Sequence, residues 1–193
     1  KQAVDPARLD AVKEFQKFFK KYKEEAQQVE AVLTLKGNEC PPAVEELLKL
    51  MKHPSATVQQ TALQVLSSYQ EQATFQPYID SLATLKDEEQ RAVIVKVLGA
   101  AKMKAAMPSL LKASETAKSP ALKFELCRAF AQMGDSAVQT PVGTMLGDQD
   151  ASVRMAAADC AGVLNLKPLG KQLAARIQDQ EWQVQTAPIQ SCA

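Results

Sequence analysis

The side chains able to do chemistry are few in this chain, and they are widely spaced. Cys40, Cys127, Cys160 and Cys192 are candidate nucleophiles, but a thiol needs a neighbouring base, and the single histidine, His53, stands before Pro54 in a turn-forming segment. No Cys-x-x-Cys or Cys/His spacing signals a zinc site or a disulfide framework. Cys127 and Cys160 fall in the columns of Leu63 and Val65 and read as small core hydrophobes, Cys192 shares the column of Leu66 and Leu98, and Cys40 precedes Pro41-Pro42 in a link open to solvent. We therefore expect no catalytic residue, no metal and no cofactor. A second set is charged: Arg91, Lys96, Lys123, Arg128 and Arg154, with Asp159 as the one acidic member of the series. Basic residues in that pattern suit carboxylates, provided that stacked helices bring them side by side at roughly 10 Å, the spacing of packed helices.

The elements that would do so are amphipathic helices. From Asp150, a natural N-cap, the residues Val153, Ala156, Ala157, Cys160, Ala161 and Leu164 recur at three- and four-residue steps as a narrow stripe of small apolar side chains. Residues equivalent to Val153 are Gln27, Val58, Gln90, Leu122 and Val184, and along the series with Val153 in its place the spacings are 31, 32, 32, 31 and 31. Eight positions on, the column reads Leu35, Leu66, Leu98, Phe130, Ala161 and Cys192; four positions on, Ala31, Ala62, Ile94, Leu126, Ala157 and Pro188. A second amphipathic segment precedes each reference residue and begins near Pro42, Pro77, Pro108, Pro141 or Pro168, because a proline in the first helical turn sacrifices no hydrogen bond. Each unit thus reads as a helical hairpin that buries its apolar face only by stacking on its neighbours.

The expectation is an all-α fold, a right-handed α-solenoid of about six antiparallel hairpins with a 31–32-residue period, forming one domain over residues 1–193. Residues 1–26 read as a capping helix starting at Asp5-Pro6, with Leu9, Val12, Phe15 and Phe19 on its apolar face. Residues 27–193 are the repeats. The last is incomplete, with Pro188 inside its final helix: either more repeats follow Ala193 or this end is ragged. An extended inner loop is expected from Glu115 to Pro120.

Charge excludes some partners. With 23 basic and 22 acidic residues the formal charge is +1, which gives no global field to draw in nucleic acid or an anionic membrane. No apolar run approaches the roughly 20 residues needed to span a bilayer. The chain begins with Lys1 rather than Met, as a processed product or excised fragment would. Four scattered cysteines favour a reducing compartment, so a cytoplasmic location is expected.

The run Asp148-x-Asp150-x-x-Val153-Arg154-x-Ala156-Ala157-x-x-x-Ala161-Gly162-x-Leu164 resembles the second-helix signature of HEAT repeats, of the short bacterial or phycobilisome-lyase-like type. Asp179-x-x-Trp182-x-Val184-x-x-Ala187 is a weaker match, and Leu98-Gly99 followed by Ala106-Met107-Pro108 resembles the link between repeats. The likeness covers about residues 27–193. Arginine after the reference residue occurs only as Arg91 and Arg154, with Lys123 related and Gln28, Gln59 and Gln185 elsewhere, so there is no full basic ladder.

Catalytic relatives fit poorly. Metal hydroxylases of this repeat family carry repeated His-Glu pairs, which a chain with one histidine lacks; the alkylpurine glycosylase branch uses a basic concave surface with tryptophan, and here Trp182 is alone on a nearly neutral chain. The resemblance implies a non-enzymatic scaffold or adaptor that binds a protein or peptide, acidic in character, on a concave face lined by Arg91, Lys96, Lys123, Arg128 and Arg154, as part of a longer chain or larger complex. The alternative it implies is an accessory or lyase-type enzyme subunit acting on a cofactor or chromophore.

Overall fold

The structure, a computed structural model, describes residues 5–71, 74–179, 181 and 184. Trp182, Gln185, Ala187, Pro188 and Cys192, and with them most of the second helix expected in the sixth repeat, lie outside the described residues. The fold is all-α, with eleven helices among the described residues. Two compact units divide the chain, residues 1–84 and 85–193.

The first unit holds α1 (Pro6–Lys21), α2 (Glu25–Leu33), α3 (Pro41–Lys49), α4 (Ala56–Ser68) and α5 (Gln76–Thr84). Asp5 caps α1, its carboxylate accepting from the Ala7 amide at 2.9 Å, and Val12 and Phe15 are the buried residues of this helix. The capping segment ends earlier than expected: the chain leaves the helix at Tyr22, and α2 already starts at Glu25, so Gln27 lies exposed in a first turn rather than on a core stripe. Leu35 and Leu66 are fully buried, and two tyrosines tie the backbone across helices, Tyr69 donating to the Leu35 carbonyl at 2.7 Å and Tyr78 to the Leu66 carbonyl at 2.9 Å. Glu39 is buried as well. Its carboxylate accepts from the amides of Gln70 and Glu71, at 2.9 and 2.5 Å, and from the Thr74 hydroxyl at 3.0 Å, while Arg8 donates to its carbonyl. This one side chain satisfies donors of the long α4–α5 connection that would otherwise be stranded.

The second unit holds α6 (Glu88–Ala100), α7 (Met107–Thr116), α8 (Pro120–Met133), α9 (Gln139–Met145), α10 (Ala151–Val163) and α11 (Gly170–Arg176). Asp87 and Asp150 cap α6 and α10 through the amides of their second and third residues. Ile94, Leu98, Leu122, Leu126, Phe130, Val153 and Ala157 are fully buried, so the apolar columns read from sequence form the core of this unit. The links after α6, α8 and α10 each pass through a left-handed residue, Lys102, Gly134 and Asn165, with φ of 52°, 72° and 48°. That conformation lets the following amide return to the helix end.

Two expectations are corrected. There is no extended loop from Glu115 to Pro120: α7 runs through Thr116, whose hydroxyl donates back to the Ala113 carbonyl, and α8 starts at Pro120, leaving residues 117–119 as a short turn. Helical hydrogen bonding overrides the turn-like composition of that segment. Nor is Cys40 open to solvent: it is 2% exposed at the N-cap of α3, and Cys127 and Cys160 are fully buried. Burial pushes all three thiols up, Cys160 to about 12, so they carry little thiolate at neutral pH.

Small side chains allow the helices of the second unit to approach closely. A Cβ added at Gly99 of α6 would stand 2.8 Å from both the Cα and the Cβ of Ala129 on α8, and the backbone atom cannot swing away. At Gly170, the first residue of α11, an added Cβ meets nothing within 4 Å. Gly99→Ala should therefore destabilise the second unit by about 1–3 kcal/mol in spite of alanine's better helix propensity. Gly170→Ala should be neutral or stabilising by up to about 1 kcal/mol. Thermal melts of the two variants decide it, and equal melting temperatures would contradict the close approach.

Candidate functional site

The fourth residue of each second helix holds the polar feature common to the repeats: Gln28 in α2, Gln59 in α4, Arg91 in α6, Lys123 in α8 and Arg154 in α10. Its first task is local. Gln28 donates to the Tyr22 carbonyl at 3.2 Å, Gln59 to the His53 carbonyl at 2.5 Å and Arg154 to the Asp148 carbonyl at 3.0 Å, each six residues back. A side chain at this position reaches over the first helical turn and satisfies a carbonyl of the preceding inter-helix turn. The glutamines that looked like gaps in a basic ladder share this task with Arg154.

Where the residue is basic, it has a second task in the next repeat. The Arg154 guanidinium grips Asp179 with two donors, Nε at 2.8 Å and Nη2 at 2.7 Å, and Arg176 adds a third at 3.0 Å. Lys123 pairs with Asp148 at 2.7 Å. Both aspartates also accept the amide of the residue two ahead, Asp150 for Asp148 and Glu181 for Asp179, so each carboxylate closes its own turn while binding the preceding helix. Asp179 is sequestered, its side chain 3% exposed, and Arg154's is 13% exposed. The Arg154 donors hold the Asp179 carboxyl below the ordinary carboxylate range, burial opposing them. Asp148, Arg154, Ala175, Arg176, Gln178 and Asp179 line a cleft of about 310 Å³.

The structure divides the five basic candidates by role. Lys123 and Arg154 brace neighbouring turns. Arg128 is half-exposed on α8, over the Phe124 ring at 5.8 Å and 3.5 Å from Glu125, and Lys96 is exposed on α6. Arg91 is partly exposed, but its Nε is buried with no hydrogen-bond partner. Asp159, the acidic member of the series, is partly buried on α10, and that burial pushes its carboxyl up. His53 acts as a turn residue, its Nδ1 accepting from the Ser55 amide and its ring meeting Phe19 edge-on at 5.7 Å. A second cleft, about 380 Å³, lies in the first unit between α1 and α2, lined by Phe15, Phe18, Tyr22, Glu14 and Glu30 among others. Sequence reasoning missed Asp148, Asp179 and Glu39 as partners. A signal for the first two existed, since Lys123–Asp148 and Arg154–Asp179 share a separation of 25 residues.

Paired helices stacked through such turns define a helical-repeat protein. Residues 75–162 match the family model for HEAT repeats. Among solved structures, the complex of CpcE and CpcF of phycocyanin lyase from Nostoc sp. PCC7120 contains a chain of similar fold. That match has a TM-score of 0.60 at 15% identity and covers 99% of this chain and 77% of that one. At such identity the likeness is one of fold. No curated protein matches the sequence.

Two carboxylates of this site should respond oppositely to pH. Asp179 has a lowered folded-state pKa, so its contribution to stability is complete at neutral pH and disappears as pH falls below about 4. Asp179→Asn should cost about 2–3 kcal/mol at pH 7, with the difference from the parent shrinking in acid. Asp159, whose folded-state pKa is raised, penalises the fold when ionised, so Asp159→Asn should raise the melting temperature at pH 7 and lose that advantage as pH falls through the carboxylate range. Melting curves across pH check both signs.

Proposed function

We propose that this chain is a non-catalytic scaffold or adaptor that binds a protein or peptide partner, acidic in character, on a concave face carrying Arg91, Lys96, Lys123, Arg128 and Arg154. The observation that carries the reading is the concentration of basic side chains at equivalent positions of α6, α8 and α10, in a chain whose overall charge is only +1. Helix starts at Glu88, Pro120 and Ala151 support a 31–32-residue period, and the right-handed sense of the solenoid is part of the same proposal. The similar chain in the solved structure is itself held in a two-protein complex, in keeping with a partner-binding role. A cytoplasmic location and a place in a longer chain or larger complex belong to the same proposal.

A second reading, an accessory or lyase-type subunit acting on a chromophore, draws on the fold likeness to the phycocyanin lyase complex. The clefts at Phe15–Tyr22 and Arg154–Asp179 are the concave places it would use. The two readings differ in what binds.

Selection of a random peptide library on the immobilised chain should enrich sequences rich in Asp and Glu. Lys96→Glu and Arg128→Glu, reversals at exposed positions outside the braced pairs, should each weaken a selected peptide by about 10-fold at low salt, with the effect shrinking as salt rises. Selection without acidic enrichment would contradict the scaffold reading. Saturable binding of an added chromophore, read as an absorbance change, would favour the second.

A further inference from the structure

We propose that the cleft between α1 and α2 takes a lysine or arginine side chain of a partner polypeptide. This is a second docking site, opposite in charge to the basic strip of the second unit and independent of the reading built on that strip. The cleft lies wholly within the first unit and has a volume of about 380 Å³. Its apolar wall comes from α1 and the residue that ends it. Phe15 is buried and anchors the helix on the core, whereas Phe18 is 37% exposed and stacks on Tyr22, with ring centroids 5.9 Å apart and planes 16° from parallel. Four residues separate the two rings, so they meet on one helix face. The wall is formed in the free protein and reachable from solvent.

The polar lining is rich in acceptors. Glu14 on α1 and Glu30 on α2 are exposed, and neither carboxylate has an ion-pair or hydrogen-bond partner among the described residues. Thr34 and Asn38, on the α2 side, turn donors back to the backbone: the Thr34 hydroxyl donates to the Ala31 carbonyl at 2.7 Å and the Asn38 side-chain nitrogen to the Thr34 carbonyl at 2.8 Å. Their side-chain oxygens keep lone pairs, which adds to the two carboxylates. Among the described residues no cation lines the cleft. Lys13 is paired with Asp10 at 2.8 Å, and Lys20 and Lys21, exposed in the last turn of α1, are not part of the lining.

A long basic side chain matches both halves of this lining. Its aliphatic stem lies along the Phe18 and Tyr22 rings, and its charged head meets Glu14 and Glu30 with donors only, which is what a set of acceptors requires. The ring already attracts an ammonium within the chain, since Lys17 Nζ stands over Phe18 at 5.8 Å from the centroid. Lys17 is not among the lining residues, so it leaves the two carboxylates open. An anionic ligand would face both of them, and a neutral one would leave them without a counter-charge.

The test titrates the full chain with four blocked tripeptides, acetyl-Gly-X-Gly-amide with X as Arg, Lys, Gln or Glu, and follows backbone amide shifts by NMR. The Arg and Lys peptides should bind saturably with Kd on the order of 1 mM and shift amides within residues 11–38, the Gln and Glu peptides at least about 10-fold more weakly. Glu14→Gln with Glu30→Gln keeps the shape and removes the charge, and should weaken the Arg peptide by about 10-fold. Phe18→Leu keeps an apolar side chain but loses the ring face, and should weaken it by about 3-fold. Glu24→Gln with Glu45→Gln removes the same charge from exposed positions outside the cleft, and should change binding by less than about 2-fold. Lys17→Gln, which removes the competing ammonium, should leave binding equal or tighter.

Melting curves establish that the variants fold. Should Phe18→Leu not fold, the exposed glutamine pair carries the test alone. Equal binding of the Gln and Arg peptides, preference for the Glu peptide, or equal losses for the two glutamine pairs would overturn the site. None of these variants touches the second unit, so such a result leaves the reading of the basic strip standing.

Discussion

The backbone polar groups at the turns between helices are the constraint on which this structure depends. Each pair of antiparallel helices leaves amides and carbonyls at its turn that no helix satisfies, and packing the next repeat over them withdraws water. The chain answers with side chains, and mostly with carboxylates. Asp87 and Asp150 cap from within, Asp148 and Asp179 close their own turns, and Glu39 and Glu88 reach across from a neighbouring element to take two amides each. Once a carboxylate occupies such a turn, a cation on the preceding second helix can bind it at little further desolvation cost, as Lys123 and Arg154 do. The ion pairs are therefore a consequence of turn chemistry, and they join successive repeats of the second unit.

Close packing supplies the complementary half of the cohesion. Gly99 against Ala129 brings α6 and α8 close at that point, and the buried alanines of α10 with Cys160 among them keep that helix's packed face small, so dispersion contacts form at short range. Small residues contribute little hydrophobic area individually, so such an interface depends on fit. Fit in turn requires that the turns hold each hairpin at a fixed angle. The polar turns and the small-residue faces are two aspects of one requirement.

The fold was largely legible, because helical repeats write their core as columns. Asp150 as a cap, the stripe from Val153 to Ala161, and the burial of Leu35, Leu66, Leu98 and Phe130 all follow from spacing and residue type alone. The segment from Glu115 to Pro120 was misread, since Ser, Thr, Lys and Pro suggest a loop, whereas i→i−3 and i→i−4 hydrogen bonding carries α7 through Thr116. Cys40 was misjudged for a related reason. A residue before two prolines looks solvent-facing, yet Cys40 is buried along with Glu39 beside it. The site was less legible than the fold. Sequence identifies Arg91, Lys123 and Arg154 as equivalent, but whether each cation meets a carboxylate depends on a residue 25 or more positions away in a different turn, and helical periodicity is silent about that.

This difference in partnering sorts the basic strip. A cation locked in a bidentate pair and mostly withdrawn from water, such as Arg154, contributes to the integrity of the repeat and has few donors left for a ligand. An exposed cation such as Lys96 attracts acidic surfaces at a distance but holds them weakly, since water and salt screen it. Arg91 lies between the two: the residue is partly exposed, yet its Nε is buried without a hydrogen-bond partner, beside a turn whose amides at Lys118 and Ser119 are already satisfied by Glu88.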